Sequence, residues 1–313
     1  MTPRVVFLGT PAFAVPSLDA LAALAARDEI DLAGVVTQPD RPGDRGRVES
    51  SPVKRRAGEL GLPVLQPVLM NGDSVPTLLE LRPDALVWAA YGNLIPRRLI
   101  DTVDGRAVNV HASLLPRWRG AAPIARAILA GDRETGVTLM QGTASLDRGP
   151  VIASAATPID PDETAGALTE RLARLGGALL ERELPAYLRG ETVPTAQNES
   201  QAMWAPKLVT ADGELNFNES AEDLVRRVRA MTPDPGAWTT FDAQRLGVLR
   251  ASIAGGRGMQ HGTFQVRGGL PHVAVGAGWL RLDEVKPAGK RAMSGADWAR
   301  GLRPTPDLRL GRE

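Results

Sequence analysis

The sequence predicts an α/β chain in which a doubly wound, mostly parallel sheet is followed by a small β-rich domain. Three observations carry this. Continuous apolar runs alternate with stretches of helical periodicity through Tyr187, the pattern of parallel strands buried on both faces. Residues 190–206 then lose that pattern and fill with Gly, Pro, Thr, Asn and Ser, which reads as a linker. From Lys207 onward, short strand-like runs recur between glycines.

Each element has its own warrant. Val5–Leu8 is an apolar run closed by Gly9-Thr10-Pro11, and Pro16 opens a helix with Leu18, Leu21 and Leu24 on one face. The unit repeats as strand Leu32–Thr37, helix Lys54–Leu60, strand Pro63–Leu65, helix Val75–Leu81 and strand Ala85–Trp88. Arg106–His111 is the next strand, and Pro123–Leu129 is a helix with Pro at its start and Gly131 just past its end. Leu168, Leu172, Leu175 and Leu179 mark a long helix that should begin near Asp162. Past the linker come one helix, Ala221–Ala230, and strands at Trp238–Phe241, Leu246–Ala251, Gly262–Val266, Val273–Val275 and Trp279–Val285, the spacing of a small barrel or sandwich. The expected domains are therefore 1–189 and 207–313, joined by 190–206.

Composition removes several chemistries. With 43% hydrophobic and 23% charged residues the chain is not globally disordered. It has no Cys, which excludes disulfides, a thiolate nucleophile and Cys-ligated metals, and its three His (His111, His261, His272) are far apart, so no metal is expected. The most apolar run, Ala85–Pro96, falls short of the roughly 18–20 residues of a membrane span. Arg4 ahead of an apolar stretch loosely mimics a secretory signal, but Gly9, Pro11 and Pro16 interrupt it, and a buried strand with its turn is the better reading. Of the 37 basic residues only Lys54, Lys207, Lys286 and Lys290 are Lys, so anion recognition leans on Arg. Residues 207–313 carry 16 basic and 12 acidic side chains, a weak hint of a polyanion partner that ordinary scatter would also produce.

Candidate chemistry gathers in a few places. Gly9-Thr10-Pro11 lacks the further glycines of a dinucleotide fingerprint. Gln38–Lys54 is a long polar loop holding Arg41, Arg45 and Arg47, either solvated or contacting an anion. Within Arg106–Gly120, Asn109 and His111 lie two apart and share one face at the carboxyl end of a parallel strand, where open α/β sheets bind ligands. Spacing alone also allows a polar pair that merely marks the strand end. Asp147 sits in the turn Ser145–Pro150, and a carboxylate beside an imidazole can orient it and hold its charged form, although any turn can contain Asp.

Longer motifs add a resemblance. VVFLGTPAFAVPSL (5–18), TQPDRP (37–42), SPVK (51–54), AAYGNLIP (89–96), NVHASLLPRWRGAAPI (109–124), ETGVTLM (134–140), LDRGPV (146–151), WAPKL (204–208), PGAWT (235–239) and VKPAGKRAMSGADWARG (285–301) together make the chain resemble the methionyl-tRNA formyltransferase family over nearly its whole length. The resemblance implies a Rossmann-like formyltransferase domain, a linker and a C-terminal domain similar to an OB-fold barrel that helps hold tRNA. It implies transfer of a formyl group from 10-formyltetrahydrofolate, the co-substrate, to the amino group of methionine on initiator tRNA. A different folate-dependent formyltransferase, acting on an amino-sugar nucleotide, or a formylfolate hydrolase is the alternative.

Site residues follow from the same motifs. The catalytic positions fall on Asn109, His111 and Asp147, with Asp147 orienting either His111 or a water. Folate contacts fall on Ser113, Leu114, Leu115 and Pro116 and on Ala90, Tyr91 and Gly92. Contacts to tRNA fall on Arg41 and Arg45 of the long loop and on Lys207, Lys286, Lys290 and Arg291, with Arg300 and Arg303 on the same basic surface. Phe217, Trp238, Phe241, Phe264, Trp279 and Trp298 either pack a core or stack on RNA. Two stretches depart from the family pattern: Arg47-Val48-Glu49-Ser50 replaces a Lys-rich run, and Gln141–Ser145 replaces an acidic one. A monomer is usual for the family, and with no Arg/Ser-rich leader ahead of the first strand a bacterial cytoplasmic location is expected.

Overall fold

Strands that are apolar on both faces must be covered on both, and the chain solves this with crossover helices. The computed structural model describes residues 2–42, 48–70, 74–256, 259–302 and 308–311. In chain order the first part runs β1 (Arg4–Gly9), α1 (Val15–Ala26), β2 (Asp31–Val36), β3 (Arg41–Pro42), β4 (Val48–Glu49), α2 (Pro52–Glu59), β5 (Val64–Leu65), α3 (Ser74–Leu79), β6 (Ala85–Ala89), α4 (Arg97–Ile100) and β7 (Ala107–His111). It continues with β8 (Arg117–Gly120), α5 (Pro123–Ala130), β9 (Glu134–Gln141), β10 (Val151–Pro158), α6 (Ala165–Leu188) and β11 (Met203–Ala205). The principal sheet has the order β10-β9-β7-β6-β1-β2-β5. From β5 to β7 the strands are parallel, whereas β9 runs antiparallel to β7 and β10 antiparallel to β9.

The chain leaves β1 towards β2 and β5, then returns on the other flank of β1 as β6. The carboxyl ends of β1 and β6 therefore form the topological switch point, the place where such sheets open a crevice. Gly9 pairs with Ala89, and Trp88 pairs with Asn109, so the loops after β1, β6 and β7 emerge side by side. The Thr10 hydroxyl donates to the Tyr91 carbonyl at 3.0 Å and ties two of them together. Gly9 serves packing here, since a Cβ on it would meet Ala14 at 2.8 Å. Val5, Val6, Phe7 and Leu8 are fully buried, as are Leu18, Leu21 and Leu24 on the inner face of α1.

Elements of this part depart from the sequence reading: β3, β4, α4, β8, β9 and β11 have no counterpart named there, and neither has β10, while α6 begins later than expected. β10 is not legible in the sequence because Val151–Pro158 alternates half-buried and exposed positions and is rich in Ala, the weak signal of an edge strand. α6 starts at Ala165 rather than near Asp162, because residues 160–163 close a turn in which the Glu163 amide donates to the Asp160 carbonyl. The linker-like stretch is docked from Thr195 onward: Thr195 and Val151 exchange backbone hydrogen bonds at 2.8 Å, and β11 pairs in parallel with β8.

The chain divides into two compact units, residues 1–123, 134–158 and 169–205 in one, and 124–133, 159–168 and 206–313 in the other. The second holds α7 (Ala221–Met231), β12 (Ala237–Phe241), β13 (Gln244–Ala254), β14 (Phe264–Arg267), β15 (Leu270–Val275), β16 (Gly278–Pro287), β17 (Met293–Ser294) and α8 (Gly295–Arg300). Its antiparallel sheet has the order β12-β13-β16-β15-β14, with β17 on β16. Leu224, Val228 and Met231 of α7 and Trp298 of α8 share one core with Leu246, Val248, Leu282 and Val285 of the sheet. α8 escapes a sequence reading because six residues are too few to display a helical period. Phe241, Phe264 and Trp298 pack as a ring triplet with centroids 5.1–6.4 Å apart, and Phe217, Trp238 and Trp279 are buried. Of the two readings of these six aromatics, core packing is the correct one.

Glycines inside α6 mark a close approach. A Cβ on Gly177 would lie 2.6 Å from the Pro16 carbonyl oxygen, whereas one on Gly58 of α2 would meet nothing. Ala is the better helix former at both positions. Gly177→Ala should nevertheless destabilise by about 1–3 kcal/mol, because packed backbone must move, while Gly58→Ala should stabilise by about 0.5–1 kcal/mol. Urea denaturation of the two variants measures the contrast.

Candidate active site

β7 is buried along its length and delivers Asn109 and His111 to its carboxyl end, with Val110 turned to the opposite face. The turn after β9 delivers Asp147 in the left-handed conformation, φ +51°. Its carboxylate accepts from two sides: the Gly120 amide donates to Oδ2 at 2.9 Å and the Asn109 side-chain amide to Oδ1 at 3.3 Å. His111 Nδ1 lies 3.7 Å from the same Oδ1, beyond hydrogen-bond length but within ion-pair range. Asn109, His111 and Asp147 are each only 7% exposed.

The imidazole is held from its other edge. His111 Nε2 meets the Trp118 carbonyl at 2.8 Å, and because a carbonyl only accepts, Nε2 carries the proton. Nδ1 is thereby the edge turned to Asp147. A proton taken up there would sit on the edge that faces the Asp147 carboxylate at 3.7 Å. Asp147 thus bonds Asn109 and the β8 backbone directly and faces His111 without a hydrogen bond.

The folate-motif residues line the same end of the sheet. Ser113 is buried, and its carbonyl accepts from the Thr138 hydroxyl at 2.7 Å, while the Leu115 amide donates to the hydroxyl oxygen of Thr138 at 3.1 Å. Leu114, Leu115 and Pro116 stay half-buried along this tethered loop. After β6, Ala90 and Gly92 adopt left-handed backbone and are exposed, whereas Tyr91 between them is buried and its phenol is pushed up by desolvation. The Tyr91 carbonyl also accepts from Gln38 at 3.2 Å.

A buried lock has no counterpart in the sequence reading. Arg119 of β8 is fully buried, donating through both terminal nitrogens to Glu199 at 2.9 and 2.7 Å and through Nε and Nη2 to the Gln197 oxygen at 3.1 and 2.8 Å. The Gln197 amide nitrogen in turn donates to the carbonyls of Asp147 at 3.0 Å and Gly149 at 2.7 Å. The linker-like stretch therefore grips the backbone of the Asp147 turn. A lone Gln in a polar stretch carries no sequence signal for this; an Arg between Trp118 and Gly120 is the only clue.

Other candidates belong to other elements of the chain. Arg41 is exposed on β3, which pairs with β4, and Lys54 at the foot of the loop pairs with Asp40 at 2.5 Å. Arg45 and Arg303 lie outside the described residues. Lys207, Lys286, Lys290 and Arg291 are exposed residues of the second unit, and Arg300 there pairs with Asp297. His261 meets Asn218 at 2.8 Å and His272 donates to Leu270 at 2.9 Å, both remote in sequence from the β7 cluster. Among the described residues no group of His, Asp and Glu could hold a metal, and no helix is long and apolar enough to cross a membrane.

The sheet topology, with a polar cluster at its carboxyl end, is that of a doubly wound α/β protein, and its family is that of the formyl transferases. The model of the formyl transferase family matches residues 3–184, and that of the formyl transferase C-terminal domain matches residues 207–303. Solved structures agree in fold: the sugar 3N-formyl transferase WlaRD, determined with dTDP and 5-N-formyl-THF, superposes with a TM-score of 0.69 at 16% identity over 93% of this chain and 100% of its own. An N-formyltransferase from Helicobacter canadensis, with folinic acid and dTDP-3-aminofucose, gives 0.67 at 15% identity over 93% of this chain and 100% of its own. Among curated relatives, methionyl-tRNA formyltransferases of Halorhodospira halophila and Myxococcus xanthus are 47% and 46% identical, covering 98% and 97% of this chain and 98% and 96% of their own. The chain belongs to the methionyl-tRNA formyltransferase family.

Arg119 holds the Glu199 carboxyl below the usual carboxylate range. A depressed carboxyl contributes stability that is complete above its ordinary pKa and is lost as pH falls through the lowered value. Glu199→Gln should therefore lower Tm at neutral pH and reduce the loss of Tm through that acid window, a comparison made by thermal melts at successive pH values.

Proposed function

We propose that this chain moves the formyl group of 10-formyltetrahydrofolate to the amino group of methionine esterified to initiator tRNA, with Asn109, His111 and Asp147 at the reacting centre. The observation that carries the assignment of residues is the Asp147 carboxylate, which gathers an amide donor and an imidazole at the carboxyl end of β7. The reaction needs what these groups supply. The neutral amine attacks the formyl carbon, a C–N bond forms, and the carbonyl oxygen becomes an oxyanion. Asn109 spends one N–H on Asp147 and keeps a second for that oxyanion, a contribution of about 3 kcal/mol by analogy with other oxyanion donors.

Collapse of the tetrahedral intermediate breaks the bond from carbon to folate N10. The amine must lose a proton and N10 must gain one. His111 Nδ1 is placed to carry it, because Nε2 is committed to Trp118 and the resulting imidazolium faces Asp147 at 3.7 Å. Folate is held by Ser113, Leu114, Leu115 and Pro116 and by Ala90, Tyr91 and Gly92, at the switch point of the sheet. Arg41, Arg45, Lys207, Lys286, Lys290 and Arg291 contact tRNA phosphates. The enzyme works as a monomer in the bacterial cytoplasm and needs no metal.

The assay offers labelled 10-formyltetrahydrofolate with charged initiator tRNA, charged elongator methionyl-tRNA and an amino-sugar nucleotide. Label on initiator tRNA alone is expected; label on the sugar, or free formate with no acceptor labelled, would overturn the assignment. Asn109→Ala should lower kcat about 10²- to 10³-fold and His111→Asn about 10²- to 10⁴-fold, each with the fold intact by circular dichroism. Near-wild-type turnover in either variant removes that residue from the chemistry. Reversing Lys290 and Arg291 to Glu should raise KM for tRNA more than for folate and flatten its salt dependence; equal effects on both substrates would take these residues off the tRNA surface.

A further inference from the structure

Trp204 is half exposed, at 50%, in a chain whose Trp118, Trp238, Trp279 and Trp298 are all buried and whose Trp88 is partly so. Exposure of so large a ring on a loop would say little, but Trp204 lies on β11. Its neighbour Ala205 is fully buried and accepts from the Ala122 amide at 3.1 Å, so the ring is held out by the pleat of a fixed strand. The register pairs Trp204 with Arg119 and Ala205 with Gly120, and the Gly120 amide is the one that binds Asp147. The guanidinium of Arg148, the residue next to Asp147, stands over the Trp204 ring 5.7 Å from its centroid. Leu146, on the other side of Asp147, is also exposed.

We propose that Trp204 and Arg148 form a platform on which the terminal base of the acceptor tRNA stacks. The inference rests on the function proposed above. The reacting amine belongs to an amino acid esterified to the ribose of the terminal adenosine, so only a few covalent bonds separate amine from base. A base must then lie within reach of the Asn109, His111 and Asp147 cluster, and Trp204 is the exposed aromatic tied to that cluster by backbone. Stacking on a Trp face tolerates any base, and a neighbouring Arg adds a cation for the adjoining phosphate. Of the six aromatics of the second unit that sequence alone offers for this task, Phe217, Phe241, Phe264 and Trp298 pack in its core, and Trp238 and Trp279 are buried.

Steady-state kinetics and one spectroscopic probe test the platform. Trp204→Ala should raise KM for initiator methionyl-tRNA about 10- to 100-fold while the KM for 10-formyltetrahydrofolate stays within about twofold. Trp204→Tyr, which keeps a π face, should stay near wild type, whereas Trp204→Leu, which keeps an apolar side chain without one, should behave like Ala; this pair decides the matter if the Ala variant does not fold. With the terminal adenine replaced by 2-aminopurine, binding to the wild-type protein should quench its fluorescence, and binding to Trp204→Leu should not. If the wild type labels initiator tRNA and Trp204→Leu shows an unchanged KM for tRNA and full quenching, the platform is wrong and the catalytic reading stands. A rise in KM for folate instead would give the ring to the other substrate and overturn the platform. A wild type that labels no tRNA would remove both readings together.

Discussion

The site depends on where one carboxylate is held. Asp147 belongs to a turn, the least constrained kind of segment, yet its two oxygens are fixed by a backbone amide of β8 and the side chain of Asn109 on β7. Its backbone is gripped in turn by Gln197, which answers to the buried Arg119. β8 therefore enters the same small circuit twice, as the source of the Gly120 amide and of the Arg119 guanidinium, and a third time through the Trp118 carbonyl that sets the His111 ring. Moving any one of these elements by an ångström would change the donor geometry on which charge stabilisation in a dry site relies.

Close packing leaves the turn little freedom. A Cβ on Gly149 would lie 1.7 Å from the Gln141 carbonyl oxygen, and one on Gly142 would lie 2.0 Å from the edge of the Trp88 ring. Gly120, at φ +117°, approaches the Ala205 carbonyl so closely that a Cβ would sit 2.7 Å from it. Gly149 and Gly120 each let one backbone reach another, Gly142 admits the Trp88 ring, and together they bring β8, β11 and the turn after β9 into one assembly. Formyl transfer as proposed draws on groups from separate stretches of sequence, and this packing explains how they meet.

Much of this is legible from residues alone. The strand and helix alternation is readable because β1, β2, β6 and β7 are apolar along most of their length and α1 repeats Leu at helical spacing. Asn109 and His111 are readable as a pair because a strand puts residues two apart on one face. β10 and α8 are not, the first for its mixed edge-strand pattern and the second for its brevity. The contact between Asp147 and that pair spans 38 residues and passes through an antiparallel strand, so only the motif resemblance suggests it. Gln197 and Glu199 are invisible: polar residues in a Pro- and Thr-rich stretch look like solvent-facing linker, and nothing in the sequence sets the Arg119 guanidinium, 78 and 80 residues away, against them.

The claim at the centre is that Asp147 acts through the groups it holds. A double-mutant cycle on kcat/KM for formyl transfer to initiator methionyl-tRNA, with Asp147→Ala, Asn109→Ala and the pair, measures this most directly. Strong coupling is expected, about 1–3 kcal/mol, with the pair scarcely worse than Asp147→Ala alone. Additive losses would contradict the account, since Asn109 would then do its work without the carboxylate.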